Sequence, residues 1–320
     1  MSKQVLIIDD VHEMLTKGLT ELGYEVIYKP TSTRSDLLQL ISNATGLVVR
    51  TKTSIDAEVI QQSTQLQFIA RAGAGLDNID EQAAAAKGIK VFNAGEANAD
   101  AVGEHTLGMM LSLFAKLNKA DKEVREAIWN REDNRGEELS GKTVAIIGYG
   151  NTGKAVAKKL SGFDVTVLAY DKYLLNYTDK YAQQASMDEV FAQADVLTLH
   201  LPLTAETKHL INANYLNQFA KPLYILNMCR GEVVNTKDLV DALESQKVKG
   251  IALDVLENEK LQTMNEQEKI WFEKLYKKRH NTAKTLMDDF AISNMWNSVI
   301  DKYSDQAHFI YELLQNANDA

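Results

Sequence analysis

The feature that most constrains this chain is a glycine-rich hexapeptide, Gly148–Tyr149–Gly150–Asn151–Thr152–Gly153, set between an apolar run and a helical pattern. The run at residues 143–147 predicts a buried strand, and residues 154–160 predict a helix. The next apolar run leads to Asp171, about 20 residues beyond the glycines, where this motif places a carboxylate. Strand, glycine turn, helix and carboxylate together predict a Rossmann unit that binds a dinucleotide.

In this motif Gly148 permits a tight turn, Gly150 lets the backbone approach a pyrophosphate, and Gly153 allows the helix to pack closely on the strand. The helix N-terminus offers unpaired N–H groups and the positive end of its dipole to the phosphates. A carboxylate at Asp171 hydrogen-bonds the ribose and repels a 2′-phosphate, which favours NAD over NADP. The less favoured alternative is a structural glycine turn in a generic α/β domain. The cofactor contacts predicted in this segment are Gly148, Gly150, Asn151, Thr152, Gly153 and Asp171.

Short apolar runs alternate with helical patterns on both sides of this motif. The predicted strands are residues 5–8, 26–28, 47–49, 68–70, 91–92, 143–147, 165–169, 196–199, 224–226 and 251–253. Repeated βα units of this length predict parallel sheets with helices on both faces. Ligands of such sheets bind beyond the carboxyl ends of the strands, which draws attention to Arg50 and to residues 73–77 and 95–98. A continuous helical stretch with many small residues is predicted from Ala99 to about Asn130.

The composition is that of an ordinary globular protein with an acidic charge. The 320 residues carry 44 acidic and 35 basic side chains, a net charge of −9, which argues against nucleic acid or an anionic membrane as the main partner. The single cysteine, Cys229, excludes an intrachain disulfide and fits a reducing cytoplasm. The N-terminus lacks the pattern of a signal peptide, and no apolar run approaches the roughly 20 residues that span a bilayer. We therefore expect a cytoplasmic protein without a membrane span, and we predict no metal site.

Six further segments carry characteristic residues. They are IARAGAGLDNID at residues 69–80, NAGEAN at 93–98, VGEH at 102–105, HLPLT at 200–204, NMCRG at 227–231 and LDVLENE at 253–259. The first resembles the substrate loop of the D-2-hydroxyacid dehydrogenase family, and the second and third resemble its domain-crossing segment. The fourth is similar to the loop beside the nicotinamide, and the last two are similar to the catalytic-arginine and catalytic-glutamate motifs. The 3-phosphoglycerate dehydrogenase branch is the most similar part of that family.

The resemblance implies an α/β fold of two Rossmann-like, doubly wound parallel-sheet domains with a helical C-terminal tail. Residues 1–98 would form a flavodoxin-like substrate domain, 99–259 the NAD-binding domain and 260–320 the tail. The implied reaction is hydride transfer between NAD and C2 of a small 2-hydroxy or 2-keto acid, with the phosphorylated acid 3-phosphoglycerate favoured. The long small-residue helix and the family resemblance both favour a homodimer.

The resemblance also assigns roles to individual positions. Arg230 would bind the substrate carboxylate and carbonyl, a task that suits a bidentate guanidinium. Glu259 would orient a histidine and raise its pKa, and that histidine would take the hydroxyl proton. The substrate would be held by Arg50, Thr51, Ala74, Gly75 and Asn98, the first two at its phosphate. The nicotinamide half of the site would include His200, Pro202, Met228, Cys229 and Asp254.

Several of these positions have plainer interpretations. A surface arginine is the alternative for Arg50, and an ordinary helix residue is the alternative for His105. Cys229 is expected to be a small packed residue rather than a nucleophile, since nothing in its motif activates a thiol. His200 is expected to shape a loop rather than to transfer a proton.

The resemblance breaks after Glu259, where the family carries a histidine in a Pro-His loop. No proline follows Pro222, and the remaining histidines, His280 and His308, lie in helical patterns. Without the imidazole we expect weak or no turnover despite intact NAD binding, since general acid–base catalysis supplies roughly 10²–10⁴ in rate. A non-catalytic NAD-binding protein is therefore the alternative function.

Residues 309–320, FIYELLQNANDA, resemble the first ATP-binding helix of the histidine-kinase-like ATPase superfamily. Glu312 and Asn316 match its water-activating and Mg²⁺-binding positions, and a chance amphipathic helix is the alternative. We interpret the residues from about 260 onward as derived from a different gene, which makes a chimeric or truncated product a further hypothesis.

Overall fold

The computed structural model describes residues 3–257. Its first sheet consists of β1 (Gln4–Ile7), β2 (Glu25–Tyr28), β3 (Gly46–Val49), β4 (Phe68–Arg71) and β5 (Lys90–Asn93). The strands are parallel and lie in the order β2-β1-β3-β4-β5. This is the flavodoxin-like order, in which the strand order reverses between β1 and β3. Arg50 follows β3 directly, so the predicted phosphate-binding position lies beside that point.

The second sheet consists of β6 (Thr143–Ile147), β7 (Thr166–Tyr170), β8 (Gln183–Gln184), β9 (Val196–Leu199), β10 (Leu223–Asn227) and β11 (Val248–Leu253). These strands are also parallel, in the order β11-β10-β9-β6-β7-β8. This is the Rossmann order, and it reverses between β6 and β9. The glycine hexapeptide follows β6 and His200 follows β9, so both lie where such a sheet binds its ligand. The predicted α/β class with doubly wound parallel sheets is confirmed.

Helices connect these strands. They are α1 (Glu13–Glu21), α2 (Arg34–Leu40), α3 (Ala57–Gln62), α4 (Glu81–Ala86), α5 (Gly95–Phe114), α6 (Leu117–Arg125), α7 (Asn151–Leu160), α8 (Met187–Gln193), α9 (Ala213–Asn217) and α10 (Thr236–Glu244), with 3₁₀ turns at Ile41–Asn43 and Gly231–Val233. Local sequence explains where several of them begin. Thr33 and Ser186 start α2 and α8 with capping boxes, completed by Asp36 and Glu189.

The predicted continuous helix from Ala99 to about Asn130 is wrong. It is divided into α5 and α6 at Lys116, which has a left-handed φ of 53°. The Phe114 carbonyl would accept the next helical hydrogen bond, but it accepts instead from the N–H of Glu137 at 3.1 Å. The chain that returns to this carbonyl ends the helix, and no glycine or proline announces the break in the sequence.

Each sheet has its own apolar core. The central strands β3 and β9 are buried along their whole length, as expected for parallel strands covered on both faces. Residues up to Met109 together with Ser140–Glu257 form one compact unit, and residues 110–139 belong to a second. The proposed domain boundaries at residues 98 and 259 stay predictions, and the predicted tail at 260–320 lies outside the described residues. Within residues 3–257, no helix combines the length and apolarity needed to cross a bilayer.

Candidate active site

Two glycines of the turn after β6 pack against backbone, and a third faces open space. Gly148 has a φ of +93°, a conformation that favours glycine. A β-carbon on Gly148 would lie 2.3 Å from the His200 carbonyl oxygen, and one on Gly153 would lie 2.1 Å from the Gly148 carbonyl oxygen. A β-carbon on Gly150 would meet nothing within 4 Å. The turn therefore leaves no room for a side chain at Gly148 or Gly153, whereas Gly150 faces open space.

Helix α7 begins at this open position without a capping side chain. Its N-cap residue is Gly150, whereas α1, α3 and α8 are capped by His12, Asp56 and Ser186. The first backbone N–H groups of a helix have no partner within the helix. An uncapped N-terminus beside an open glycine fits the diphosphate of NAD, and Asn151 and Thr152 lie in its first turn.

Asp171 follows β7 and is held by backbone N–H groups. Its Oδ2 accepts a hydrogen bond from the Tyr149 N–H at 2.9 Å. Its Oδ1 accepts from the N–H groups of Tyr173 and Leu174 at 2.9 and 3.0 Å. The Tyr177 hydroxyl in turn accepts from the Asp171 N–H at 2.8 Å. The predicted ribose-binding carboxylate is thus fixed beside the glycine turn.

His200 follows β9 and is buried. Its Nε2 lies 3.0 Å from the Thr198 hydroxyl, while its buried Nδ1 has no hydrogen-bond partner among the described residues. Burial lowers the pKa of His200 to about 4, so the imidazole is neutral at pH 7. The expectation that His200 shapes a loop and does not transfer protons agrees with this burial. Pro202, two residues further on, is exposed.

The turn after β10 is organised by the side chain of Asn227. Its Nδ2 donates to the Arg230 carbonyl at 2.8 Å, and its Oδ1 accepts from the Cys229 N–H at 3.2 Å. Met228 and Cys229 are buried, and burial raises the pKa of the Cys229 thiol. Cys229 is therefore a packed residue, as expected. Its backbone carbonyl accepts a hydrogen bond from Arg230 and so helps to orient the guanidinium group.

Arg230 reaches the glycine loop that follows β4. Its Nε and Nη2 donate to Asp77 Oδ2 at 3.1 and 2.5 Å, and its Nη1 donates to the Cys229 carbonyl at 2.6 Å. A β-carbon on Gly75 would lie 1.9 Å from Arg230 Nη2. Burial raises the pKa of Asp77, but the hydrogen bond and charge of Arg230 outweigh it and leave that pKa below its usual value. The predicted catalytic arginine and the predicted substrate loop are thus in contact.

Arg71, the last residue of β4, is a candidate site residue that was not predicted from the sequence. Its Nε is buried and has no hydrogen-bond partner within residues 3–257, and a β-carbon on Gly73 would lie 2.3 Å from its Nη1. Burial lowers the pKa of Arg71, and the positive charges of Arg230 and Arg50 lower it further. A partly buried cation beside other cations is unfavourable unless an anion joins it. The available signal was an arginine at a strand end, directly before the glycine loop.

The other predicted substrate residues are more exposed. The backbone N–H of Arg50 donates to buried Asp9 at 2.5 Å, which fixes the start of its loop. Thr51 and Asn98 are exposed, and Ala74 is partly buried beside Gly75. Their substrate contacts stay predictions.

His105 lies in α5 and makes a long-range contact. Its Nε2 lies 3.0 Å from Oδ1 of Asp254, 149 residues later in the chain. Asp254 follows β11 and was predicted to lie at the nicotinamide end of the coenzyme. His105 therefore contacts a residue of the predicted coenzyme site, and a role for it there stays a prediction.

A histidine–carboxylate pair holds the last described residues. His209 Nε2 lies 2.6 Å from Glu257 Oε1. A β-carbon on Gly231 would lie 1.9 Å from the Leu256 carbonyl oxygen, so the Arg230 turn packs directly on this segment. Glu259, the predicted catalytic glutamate, lies outside the described residues, and its role stays a prediction.

The order of the second sheet, the uncapped α7 and the acidic residue after β7 define a Rossmann NAD-binding domain. A sequence model of the D-isomer specific 2-hydroxyacid dehydrogenase family, NAD binding domain, matches residues 107–277. That match covers more than half of the chain. The chain therefore belongs to the D-isomer specific 2-hydroxyacid dehydrogenases, a family of NAD-dependent oxidoreductases that act on CH–OH groups.

Several characterised proteins are similar to this chain. D-3-phosphoglycerate dehydrogenase from Methanocaldococcus jannaschii is 37% identical over 259 residues, 80% of this chain and 49% of that protein. Hydroxypyruvate reductase from Thermotoga maritima is 37% identical over 226 residues, 71% of this chain and 74% of that protein. The crystal structure of a glyoxylate reductase from Paecilomyes thermophila is 28% identical, with a TM-score of 0.74 over 83% of this chain and 84% of that one. The chain spans about half the length of the phosphoglycerate dehydrogenases that it matches.

Proposed function

We propose that this chain binds NAD and a small 2-hydroxy or 2-keto acid that carries a second anionic group, with 3-phosphoglycerate as the favoured acid. The observation that carries this proposal is a group of three arginines at the strand ends, in which the charges of Arg50 and Arg230 act on Arg71. Gly73 and Gly75 leave the space that two of these guanidinium groups fill.

The electrostatics of this group favour an anionic ligand. Asp9 and Asp77 are the carboxylates that act on Arg71, against the positive charges of Arg50 and Arg230. Three cations therefore face two anions, and the buried Nε of Arg71 has no partner among the described residues. A phosphate offers the acceptor oxygens and the negative charge that such a donor set binds best.

Each arginine has a distinct proposed task. Arg230 is fixed by Asp77 and the Cys229 carbonyl. It would bind the carboxylate of the acid and polarise the C2 carbonyl of the keto acid, which is the hydroxyl group of the hydroxy acid. Arg71 and Arg50 would bind the phosphate. NAD, when bound, supplies the hydride acceptor, and Gly148–Gly153, Asp171 and Asp254 would hold it.

The similarity to relatives supports the substrate class, but it does not distinguish between the individual acids of that class. The M. jannaschii protein is a D-3-phosphoglycerate dehydrogenase, and the T. maritima protein is a hydroxypyruvate reductase. The acids that these names imply share a carboxylate and a neighbouring oxygen, and only the first carries a phosphate. The buried, unpartnered Nε of Arg71 favours the phosphorylated acid. We retain the homodimer as a further proposal, which the mass of the purified protein by light scattering would test.

A second candidate is a non-catalytic protein that binds NAD. It is favoured by one observation: residues 260–320 contain no proline, so this segment after Glu259 has no Pro-His sequence. This candidate keeps the coenzyme and acid sites and differs from the first only in the rate of hydride transfer.

The test combines binding and turnover on the purified protein. We would titrate NADH by its fluorescence and 3-phosphoglycerate by calorimetry in the presence of NAD, and then follow NADH formation from NAD and 3-phosphoglycerate. Glycerate is the matched ligand without a phosphate. Arg230→Lys keeps the charge and removes the planar, bidentate guanidinium.

The proposal expects tight NADH binding, preference for 3-phosphoglycerate over glycerate, and weaker binding of both acids to Arg230→Lys. Ordinary turnover would establish the oxidoreductase, and binding of both ligands without turnover would establish the second candidate. A protein that binds NADH and neither acid would contradict the assignment of the arginine group.

A further inference from the structure

An ion pair bridges the two loops that flank the glycine turn. Strands β9 and β7 lie on either side of β6 in the second sheet. Lys172, in the loop after β7, forms an ion pair with Glu206, in the loop after β9. The Tyr173 hydroxyl donates to the same carboxylate at 3.3 Å. The pair therefore joins the loops on both sides of the turn that fits the coenzyme diphosphate.

We propose that Glu206 is a coenzyme-specificity residue: by pairing with Lys172, it prevents this lysine from attracting a 2′-phosphate to the ribose site at Asp171. The proposal rests on the proposed coenzyme site at Gly148–Gly153 and Asp171. It adds a residue from a different strand's loop to the discrimination that Asp171 alone would provide.

The argument follows from the charges next to the ribose position. Lys172 directly follows Asp171 in the chain, so a cation stands next to the carboxylate that disfavours NADP. A 2′-phosphate carries between one and two negative charges at neutral pH. An unpaired Lys172 would attract it, whereas Lys172 paired with Glu206 adds no net charge and leaves the repulsion by Asp171 in effect.

The titration of both partners agrees with a pair that is charged at neutral pH. The hydrogen bond to Glu206 raises the pKa of Lys172. The hydrogen bond and charge of Lys172 lower the pKa of Glu206. Both groups therefore stay ionised in the range where the coenzyme is used.

A purely structural role accounts less well for the pair. The side chains of Lys172 and Glu206 are 56% and 61% exposed, and exposed ion pairs contribute little to stability. Removing the carboxylate should therefore leave the fold intact, which allows a specificity effect to be measured separately from unfolding.

The test measures the affinities for NADH and NADPH by nucleotide fluorescence in the wild type, Glu206→Gln, Lys172→Gln and the double variant. In Glu206→Gln we expect the affinity for NADPH relative to NADH to rise on the order of tenfold at low ionic strength, and to rise less at high salt. The double variant should lose this gain, because the gain depends on the released lysine.

Glu13→Gln is the matched control. It removes a similarly exposed carboxylate from a lysine pair, Lys17–Glu13 at 2.9 Å, on α1. It changes the net charge by the same amount, so it should leave the NADPH-to-NADH ratio unchanged.

An unchanged ratio in Glu206→Gln would overturn the inference, and so would an equal rise in Glu13→Gln or a gain that persists in the double variant. In each of these cases normal NADH binding would leave the coenzyme site standing. A wild-type protein that binds neither nucleotide would instead overturn the coenzyme site, and the specificity role of Glu206 with it.

Discussion

The backbone N–H of Tyr149, inside the glycine turn, donates a 2.9 Å hydrogen bond to the carboxylate of Asp171, 22 residues later. The same carboxylate accepts the N–H groups of Tyr173 and Leu174. The turn proposed for the diphosphate and the carboxylate proposed for the ribose are therefore held together by one side chain. Changes at Asp171 should affect both ends of the coenzyme and the local fold at once.

Asp171→Asn tests this coupling. An amide keeps one oxygen acceptor and places an N–H group where the other oxygen was, so at least one of the three backbone donors loses its partner. We expect a loss of about 1–3 kcal/mol in the free energy of unfolding and weaker NADH binding, measured by urea denaturation and fluorescence titration. Unchanged stability would show that the carboxylate does not hold the turn.

Substitutions of two glycines in the turn should affect NADH binding and the stability of the fold separately. A β-carbon on Gly150 meets open space, whereas one on Gly153 lies 2.1 Å from the Gly148 carbonyl oxygen. Gly150→Ala should keep the melting temperature and weaken NADH binding, because its methyl group enters the space proposed for the diphosphate. Gly153→Ala should cost about 1–3 kcal/mol of stability through overpacking. Thermal melts and NADH titrations check both outcomes, and equal effects of the two variants on stability would contradict the assignment.

Gly75→Ala should displace Arg230 and leave the coenzyme site alone. The added β-carbon would lie 1.9 Å from Arg230 Nη2 and 2.5 Å from Asp77 Oδ2, so the guanidinium must move. Misplacement of a binding group by about 1 Å can cost on the order of 100-fold. We expect a loss of this order in 3-phosphoglycerate affinity by calorimetry, with NADH affinity unchanged.

Gly18→Ala provides the control for that substitution. Gly18 lies inside α1, and a β-carbon there meets nothing within 4 Å. Replacing an interior helical glycine by alanine stabilises a helix by about 0.5–1 kcal/mol. Gly18→Ala should therefore raise the melting temperature slightly and keep the affinity for both ligands. Equal loss of acid binding in the two variants would argue against displacement of Arg230.

Arg71→Gln should discriminate between acids with and without a phosphate. The variant removes a partly buried cation that other arginines disfavour, so we expect the free energy of unfolding to stay equal or to rise. A hydrogen bond to a charged group contributes about 1.5–3 kcal/mol, so the affinity for 3-phosphoglycerate should fall roughly 10- to 100-fold. The affinity for glycerate should hardly change. Parallel losses for both acids would place Arg71 at the carboxylate instead.

His200 should make the fold sensitive to acid. Its pKa falls from 6.5 to about 4 in the folded chain because the imidazole is buried. Between these values the unfolded chain binds a proton that the folded chain excludes, so the free energy of unfolding falls as the pH falls from about 6.5 to about 4. The loss amounts to roughly 3 kcal/mol from this residue.

His200→Asn is the variant that isolates this contribution. Urea denaturation at pH 7 and pH 4 should show a smaller difference in the variant than in the wild type, since the carboxylates titrate alike in both. Equal differences would mean that His200 is accessible to protons in the folded chain.

The sequence was a good guide where a function depends on neighbouring residues. The strands β6 and β9 have the predicted bounds, and the glycine hexapeptide predicted the turn that follows β6 because every part of that motif lies within one βα unit. The predicted contacts of Gly150 and Asp171 with NAD follow from the same local pattern.

Features that depend on distant residues could not be predicted in the same way. The buried Nε of Arg71 and the pairing of His105 with Asp254 exist only because the fold brings distant segments of the chain together. The break in the helix at Lys116 has the same origin, because the N–H of the distant Glu137 donates to the carbonyl of Phe114, the last residue of α5. None of these partners is adjacent in sequence, so no local pattern announces them.

The 153 residues between Asp77 and Arg230 have a consequence for biosynthesis. While the chain is being made, the glycine loop leaves the ribosome long before the strand that carries Arg230, and domains generally fold from the N-terminus during synthesis. Until β10 joins its sheet, Asp77 lacks the guanidinium that neutralises it. Binding of the proposed acid by a nascent chain would therefore report that the second sheet is complete, and at 5–20 residues per second the delay lasts on the order of 10 seconds.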